Sequence, residues 1–155
     1  MSEFRLICGR GSFQVHAHGR LVGEDLVISI WGGNRPHVGT VAIALPRKSL
    51  REPEKVSSTS SVFTLLGHKE DIIAKEFSEK LSSALNKVVV VTVGIHQDRI
   101  DQRGIDKFID NCDRAFGEVL RVLKKAQMSK SKCQIKSKLQ SPNSKAQSTN
   151  VSFDI

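Results

Sequence analysis

Tyrosine is missing from this sequence altogether, and aromatic side chains of every kind make up only 5% of it. Proteins that grip single strands need exposed aromatic platforms set among basic residues. Nucleic acid is therefore not an expected partner, in spite of a net charge of +8. Half of that excess is peripheral: the stretch 126–155 holds five lysines and one aspartate, so residues 1–125 carry only the remaining +4. Long apolar runs are lacking too. No stretch approaches the roughly 18 residues needed to span a bilayer. Met1-Ser2-Glu3-Phe4-Arg5 has no charged-then-apolar order of a secretory leader, so a cytoplasmic protein without membrane association is expected. Cysteine is scarce, and Cys8, Cys112 and Cys133 stand far apart. Such a set makes neither a disulfide framework nor a paired zinc spacing, and reduced thiols are expected.

The hydrophobic fraction of 39% suffices for one domain. Phe13, Val15 and Ala17 alternate with Gln14, His16 and His18, the period of a half-buried strand within 12–21. A turn at Gly23-Glu24-Asp25 leads to a return strand, Leu26 to Trp31. Gly32 to Pro36 reads as a loop, and Val38 to Leu45 and Ser57 to Leu66 as further strands, with Phe4 to Cys8 the first. The period then changes. Ile72, Ile73, Phe77, Leu81 and Leu85 predict a helix face over 68–86, with Asn86 as its stop. The apolar run Val88 to Ile95 predicts a central strand covered on both faces. Ile105, Phe108, Cys112, Phe116, Val119 and Leu123 predict a second amphipathic helix from Asp101 to about Lys124, with Cys112 in its apolar stripe. Strands first, then helix, strand and helix argue an α+β domain over 1–125: an antiparallel-rich mixed sheet with two amphipathic helices packed against it. Residues 126–155, rich in Ser, Lys, Gln and Asn, are expected to form a disordered basic tail. An exposed apolar sheet edge calls for cover, so a homodimer is expected.

Chemistry-bearing residues fall at the ends of elements. His37, His68 and His96 each adjoin a predicted strand or helix. A metal reading would take all three as ligands with water in fourth place. Their spacing gives no support for it, and no metal is assigned. No nucleophile or carboxylate pair accompanies them, so an enzyme is not expected. A second group is cationic: Arg47, Lys48 and Arg51, followed by hydroxyls that include Ser58 and Thr59. Cations and hydroxyls together suit a phosphate, although a solvated basic loop is the plainer reading. Gly9-Arg10-Gly11 precedes a strand rather than a helix, so it is no dinucleotide fingerprint.

The sequence Gly32-Gly33-Asn34-Arg35-Pro36-His37-Val38-Gly39, followed by Val41-Ala42-Ile43-Ala44, resembles the opening of the LpdD-like prenylated flavin chaperones, a family also named after gallate decarboxylase. Pro46 to Arg51, Ser57 to Val62, Gly67-His68-Lys69-Glu70-Asp71 and Val93-Gly94-Ile95-His96 follow in that family's order, over about residues 3–125. The resemblance implies a fold like that of the proteasome assembly chaperones, commonly paired as a dimer. It also implies a carrier that binds prenylated FMN and stores it for, or delivers it to, a UbiD-type decarboxylase. Arg47, Lys48, Arg51, Ser58 and Thr59 are then implied at the FMN phosphate, and His37, His68 and His96 at the isoalloxazine or the partner. The alternative is a protein-only assembly factor that binds no small ligand.

Overall fold

A computed structural model describes the backbone of residues 3–139, with side chains described through residue 128. Six strands and two helices follow in the order β1 (Glu3–Cys8), β2 (Val15–Val22), β3 (Asp25–Gly33), β4 (Thr40–Lys48), β5 (Val56–Thr64), α1 (Asp71–Leu85), β6 (Val89–His96) and α2 (Gln102–Leu139). The strands form one sheet in the order β1-β2-β3-β6-β4-β5. Only the β3–β6 pair is parallel; the others are antiparallel. The α+β, antiparallel-rich expectation therefore holds. A single 3₁₀ turn at Gly11–Phe13 replaces the start expected for the second strand, with Gly11 at φ +59°.

Both helices lie on one side of the sheet, α1 on β4, β5 and β6, and α2 on β1 and β2. That side holds the core: Val15, Ile28, Ile30, Ala42, Val89, Val91 and Val93 meet Phe77, Leu81, Phe108 and Val119. Phe77 and Phe116 join the helices edge to face, with ring centroids 5.2 Å apart. Asn86 ends α1 in the left-handed conformation, φ 52°, which relieves the last carbonyls of the helix. Asp101 starts α2 by accepting a hydrogen bond at 2.8 Å from the Gly104 N–H.

Three expectations need correction. β6 is central, but alternate residues along it are only half-buried, so it is covered on one face rather than two. The opposite side of the sheet carries Ile43, Leu45 and Phe63, all exposed, and a stacked His16–Trp31 pair. The second helix does not stop near Lys124 but runs to Leu139. Its continuation is rich in Lys, Ser and Gln, of which Lys and Gln favour helix, and no glycine or proline interrupts it between Gly117 and Pro142. Residues 126–139, expected in a disordered tail, are thus helical, and 140–155 lie outside the described residues.

Candidate functional site

The topology explains why distant histidines meet. β3 and β6 run parallel and end together, with Gly33 beside His96. β4 runs the other way and begins at the same end, with Thr40 beside Val93. His37 leads into β4, His96 closes β6, and His68 lies just before α1. All three arrive at one end of the sheet. Two close backbone approaches hold them there. A Cβ on Gly94 would stand 2.0 Å from the carbonyl oxygen of His37, and one on Gly33 would stand 1.9 Å from that of His96. Only glycine fits either position.

His37 Nε2 lies 3.0 Å from His68 Nδ1. The Arg35 carbonyl, 2.9 Å from His37 Nδ1, can only accept, so His37 carries its proton on Nδ1. With the ring neutral, its Nε2 then accepts from His68. Beneath them lies the buried carboxylate of Glu70, with Oε1 3.5 Å from His37 Nε2 and Oε2 3.7 Å from His68 Nδ1. Backbone N–H groups of Lys69 (2.9 Å) and Ile95 (3.3 Å) donate to the same carboxylate. His96 stands to one side, its ring 6.3 Å from that of His37, and donates from Nε2 to Asp98 at 3.1 Å. Hydrogen bonds from Asn34, then His96, hold Asp98 below the usual carboxylate range, helped by the charge of Arg35.

A cavity of about 520 Å³ opens beside this cluster, between the start of α1, the end of β6 and the first turns of α2. One wall is polar, with His68, Lys69, Glu70, His96 and Gln97; the other is apolar, with Ile73, Ile95, Phe108 and Ile109. Gln97 holds a buried side-chain oxygen without a hydrogen-bond partner among the described residues. A groove of about 490 Å³ continues between the helices over Ile72 and Phe116, sharing Lys69, Ile73, Ile105 and Ile109 with the cavity.

The cationic group is elsewhere. Arg47 and Lys48 end β4, whose first residue, Thr40, follows the histidine end directly. Eight residues of strand at about 3.4 Å each put Lys48 about 27 Å away. Nor do the hydroxyls share a face. Ser58 donates to the Glu79 carbonyl at 2.9 Å on the helix side, whereas Thr59 accepts from Arg47 Nε at 2.7 Å on the open side. Successive strand residues must point opposite ways. Arg51 lies in the turn beyond, its backbone N–H bonded to Ser49 Oγ at 3.3 Å. A single cleft holding all eight expected residues is therefore not formed within the chain: His37, His68 and His96 come together, and Arg47, Lys48, Arg51, Ser58 and Thr59 do not join them. Sequence reasoning missed Glu70, quoted only as part of the Gly67–Asp71 motif, and Gln97. The nearness of Glu70 to His68 in Gly67-His68-Lys69-Glu70 was the one available clue.

Residues 9–124 match the family described as the prenylated flavin chaperone LpdD-like domain. The chain belongs to that family. Among curated proteins it is similar to Protein LpdD of Lactiplantibacillus plantarum, 28% identical over 96 residues, which cover 62% of this chain and 67% of that protein. Among solved structures it resembles a chain in the crystal structure of a novel chaperone complex for yeast 20S proteasome assembly. There the TM-score is 0.51 at 15% identity, covering 81% of this chain and 98% of the other. At that identity the likeness is one of fold. No helix among the described residues is long and apolar enough to cross a membrane.

Proposed function

We propose that this protein binds prenylated FMN in the cavity beside His68 and His96 and delivers it in the cytoplasm to a UbiD-type decarboxylase, without catalysing decarboxylation itself. The observation that carries the reading is the two-sided cavity of about 520 Å³. Cofactor pockets commonly span roughly 300–1,000 Å³ and combine apolar walls with a few fixed polar groups. A prenylated isoalloxazine is flat and apolar over most of its area, with polar atoms on one edge. Ile73, Ile95 and Phe108 suit the ring, and Lys69, His68 and His96 suit polar or anionic atoms. The unpaired Gln97 oxygen offers an acceptor for a ring N–H. The family assignment supports the choice of a prenylated flavin over other flat anions. Arg47, Lys48 and Arg51 stand too far from this cavity to reach a phosphate held in the same chain, and their part in the proposal is contact with a partner protein.

The test mixes the full chain with prenylated FMN, removes free ligand by desalting, and reads retained flavin absorbance. Retention is expected, together with a rise in activity when the loaded protein meets an apo-decarboxylase. Absence of both retention and activation would refute the proposal.

A second reading is a protein-only assembly factor. The cationic group favours it, since Arg47, Lys48 and Arg51 are exposed and stand apart from the cavity, while on the open side of the sheet Ile43, Leu45 and Phe63 are exposed together on adjacent strands. We propose that this face pairs two copies of the chain, leaving the cavity on the helix side open. Capture of a decarboxylase by flavin-free protein at undiminished affinity would favour the second reading over carriage.

A further inference from the structure

We propose that His37, His68 and Glu70 form a binding site for a divalent cation of the zinc class. Two imidazoles and one carboxylate form a donor set used for catalytic-type zinc, with water completing the shell. Four-coordinate zinc with bonds of about 2.0–2.1 Å sets neighbouring ligand atoms about 3.4 Å apart. The two imidazole nitrogens stand 3.0 Å apart, and a carboxylate oxygen lies near that edge length from each of them, Oε1 at 3.5 Å from His37 Nε2 and Oε2 at 3.7 Å from His68 Nδ1. The three ligand atoms lie within 4.8 Å of one another when each residue offers one.

Two independent features mark the cluster as built for an ion. The first is the support around it. His37 donates its Nδ1 proton to the Arg35 carbonyl, which turns the bare Nε2 lone pair inward, as supporting contacts do for metal-binding imidazoles. Glu70 is oriented by two backbone N–H groups from different segments. The second is the space. A Cβ built on Gly39 would lie 3.0 Å from each of Glu70 Oε2, His37 Nε2 and His68 Nδ1. Gly39 does not have the positive φ that favours glycine, so the missing side chain serves to leave room rather than to permit a turn.

Binding requires one proton to relocate. With both rings neutral, the hydrogen between the imidazoles lies on His68 Nδ1 and must move to His68 Nε2, and no proton is released. An ion of charge +2 turns the local charge from −1 on Glu70 to +1. The polar wall of the neighbouring cavity, which includes His68 and Glu70, then becomes attractive to an anionic oxygen. His96, held by Asp98, is not a ligand.

The test uses the full chain stripped with chelator and contains no flavin, so its outcome is independent of the carriage proposal. Calorimetric titration with zinc is expected to show one equivalent per chain. Cobalt substitution is expected to give the intense visible bands of a four-coordinate site. Losing one of the three ligands should cost more than loss of a supporting contact, so His37→Ala and His68→Ala should each weaken zinc at least about 100-fold. Glu70→Gln should do the same with helical circular dichroism intact. If that variant fails to fold, the two histidine variants decide the matter, since both side chains are partly exposed. Gly39→Ala should weaken zinc by filling the cradle, and His96→Ala should retain it. No stoichiometric zinc in the parent, or undiminished binding when His37 and His68 are both alanine, overturns the site.

Discussion

Replacing Gly94 with alanine asks whether the histidine cluster is held in place by backbone contact. The added Cβ would stand 2.0 Å from the His37 carbonyl oxygen, 2.5 Å from its carbon and 3.2 Å from the Gly39 nitrogen. A close carbon–oxygen approach needs about 3.3 Å, so the segment over β6 must retreat by about 1 Å. It cannot do so freely, because Gly39 N–H bonds to the Val93 carbonyl at 2.9 Å and Arg35 N–H to the His96 carbonyl at 3.3 Å. Overpacking of this kind costs about 1–3 kcal/mol, and weakening each backbone bond adds about 1 kcal/mol. The sum, about 3–5 kcal/mol, would be a large part of a small domain's stability of roughly 5–15 kcal/mol. Urea unfolding followed by far-ultraviolet circular dichroism measures it as a lower midpoint at unchanged slope. Gly117→Ala is the matched control. Among the described residues nothing lies within 4 Å of a Cβ there, so no close contact with them justifies that mid-helix glycine. The control should gain about 1 kcal/mol. A Gly94→Ala protein within about 0.5 kcal/mol of the parent would refute the reasoning, since that is the range of inconsequential surface changes.

Further outcomes follow from the same geometry. Ser58→Ala should cost about 1 kcal/mol by removing its bond to the Glu79 carbonyl, yet leave flavin retention unchanged; reduced retention would place Ser58 at the ligand after all. Burial pushes the Cys112 thiol up to about 12 from 9.0. Above pH 9 the unfolded chain therefore loses a proton that the folded chain keeps, and stability should fall as pH rises, by about 1.4 kcal/mol per unit. Unfolding at pH 7 and pH 10 checks this, and Cys112→Ala should remove that share of the pH dependence. Phe63→Glu should lower the mass seen by light scattering to that of one chain, and a dimer surviving at micromolar concentration would rule out the open face as the pairing surface.

Local pattern was enough to locate nearly every element. Asn86 stopped its helix for the reason the sequence suggested, and the almost continuously apolar run Val88 to Ile95 did mark a central strand. What pattern could not convey was strand order. His37 and Arg47 are near neighbours in sequence, but an extended strand between them puts them at opposite ends of the sheet. His96, far away in sequence, comes beside His37 because β6 inserts between β3 and β4. The separation of Ser58 from Thr59 was legible in principle, since neighbours on a strand face opposite ways. Glu70 was hidden for a different reason. An acid beside a helix start is common for electrostatic reasons, and only the structure turns this one away from its helix toward two imidazoles.

Inserting β6 between β3 and β4 has a consequence for how the molecule comes into being. β1, β2 and β3 form one meander and β4 with β5 one hairpin, each made by partners adjacent in sequence. Among the described residues, nothing in the sheet bridges these halves except the strand that is translated last. Such a bridging strand closes long loops, the slow kind of step in assembly. Because Val93 and Ile95 of that strand grip Gly39 and Glu70, the imidazole cluster is completed only when the keystone drops in. If the protein carries flavin as proposed, a nascent chain lacking that strand would be unfit to accept it, and loading would be confined to finished molecules.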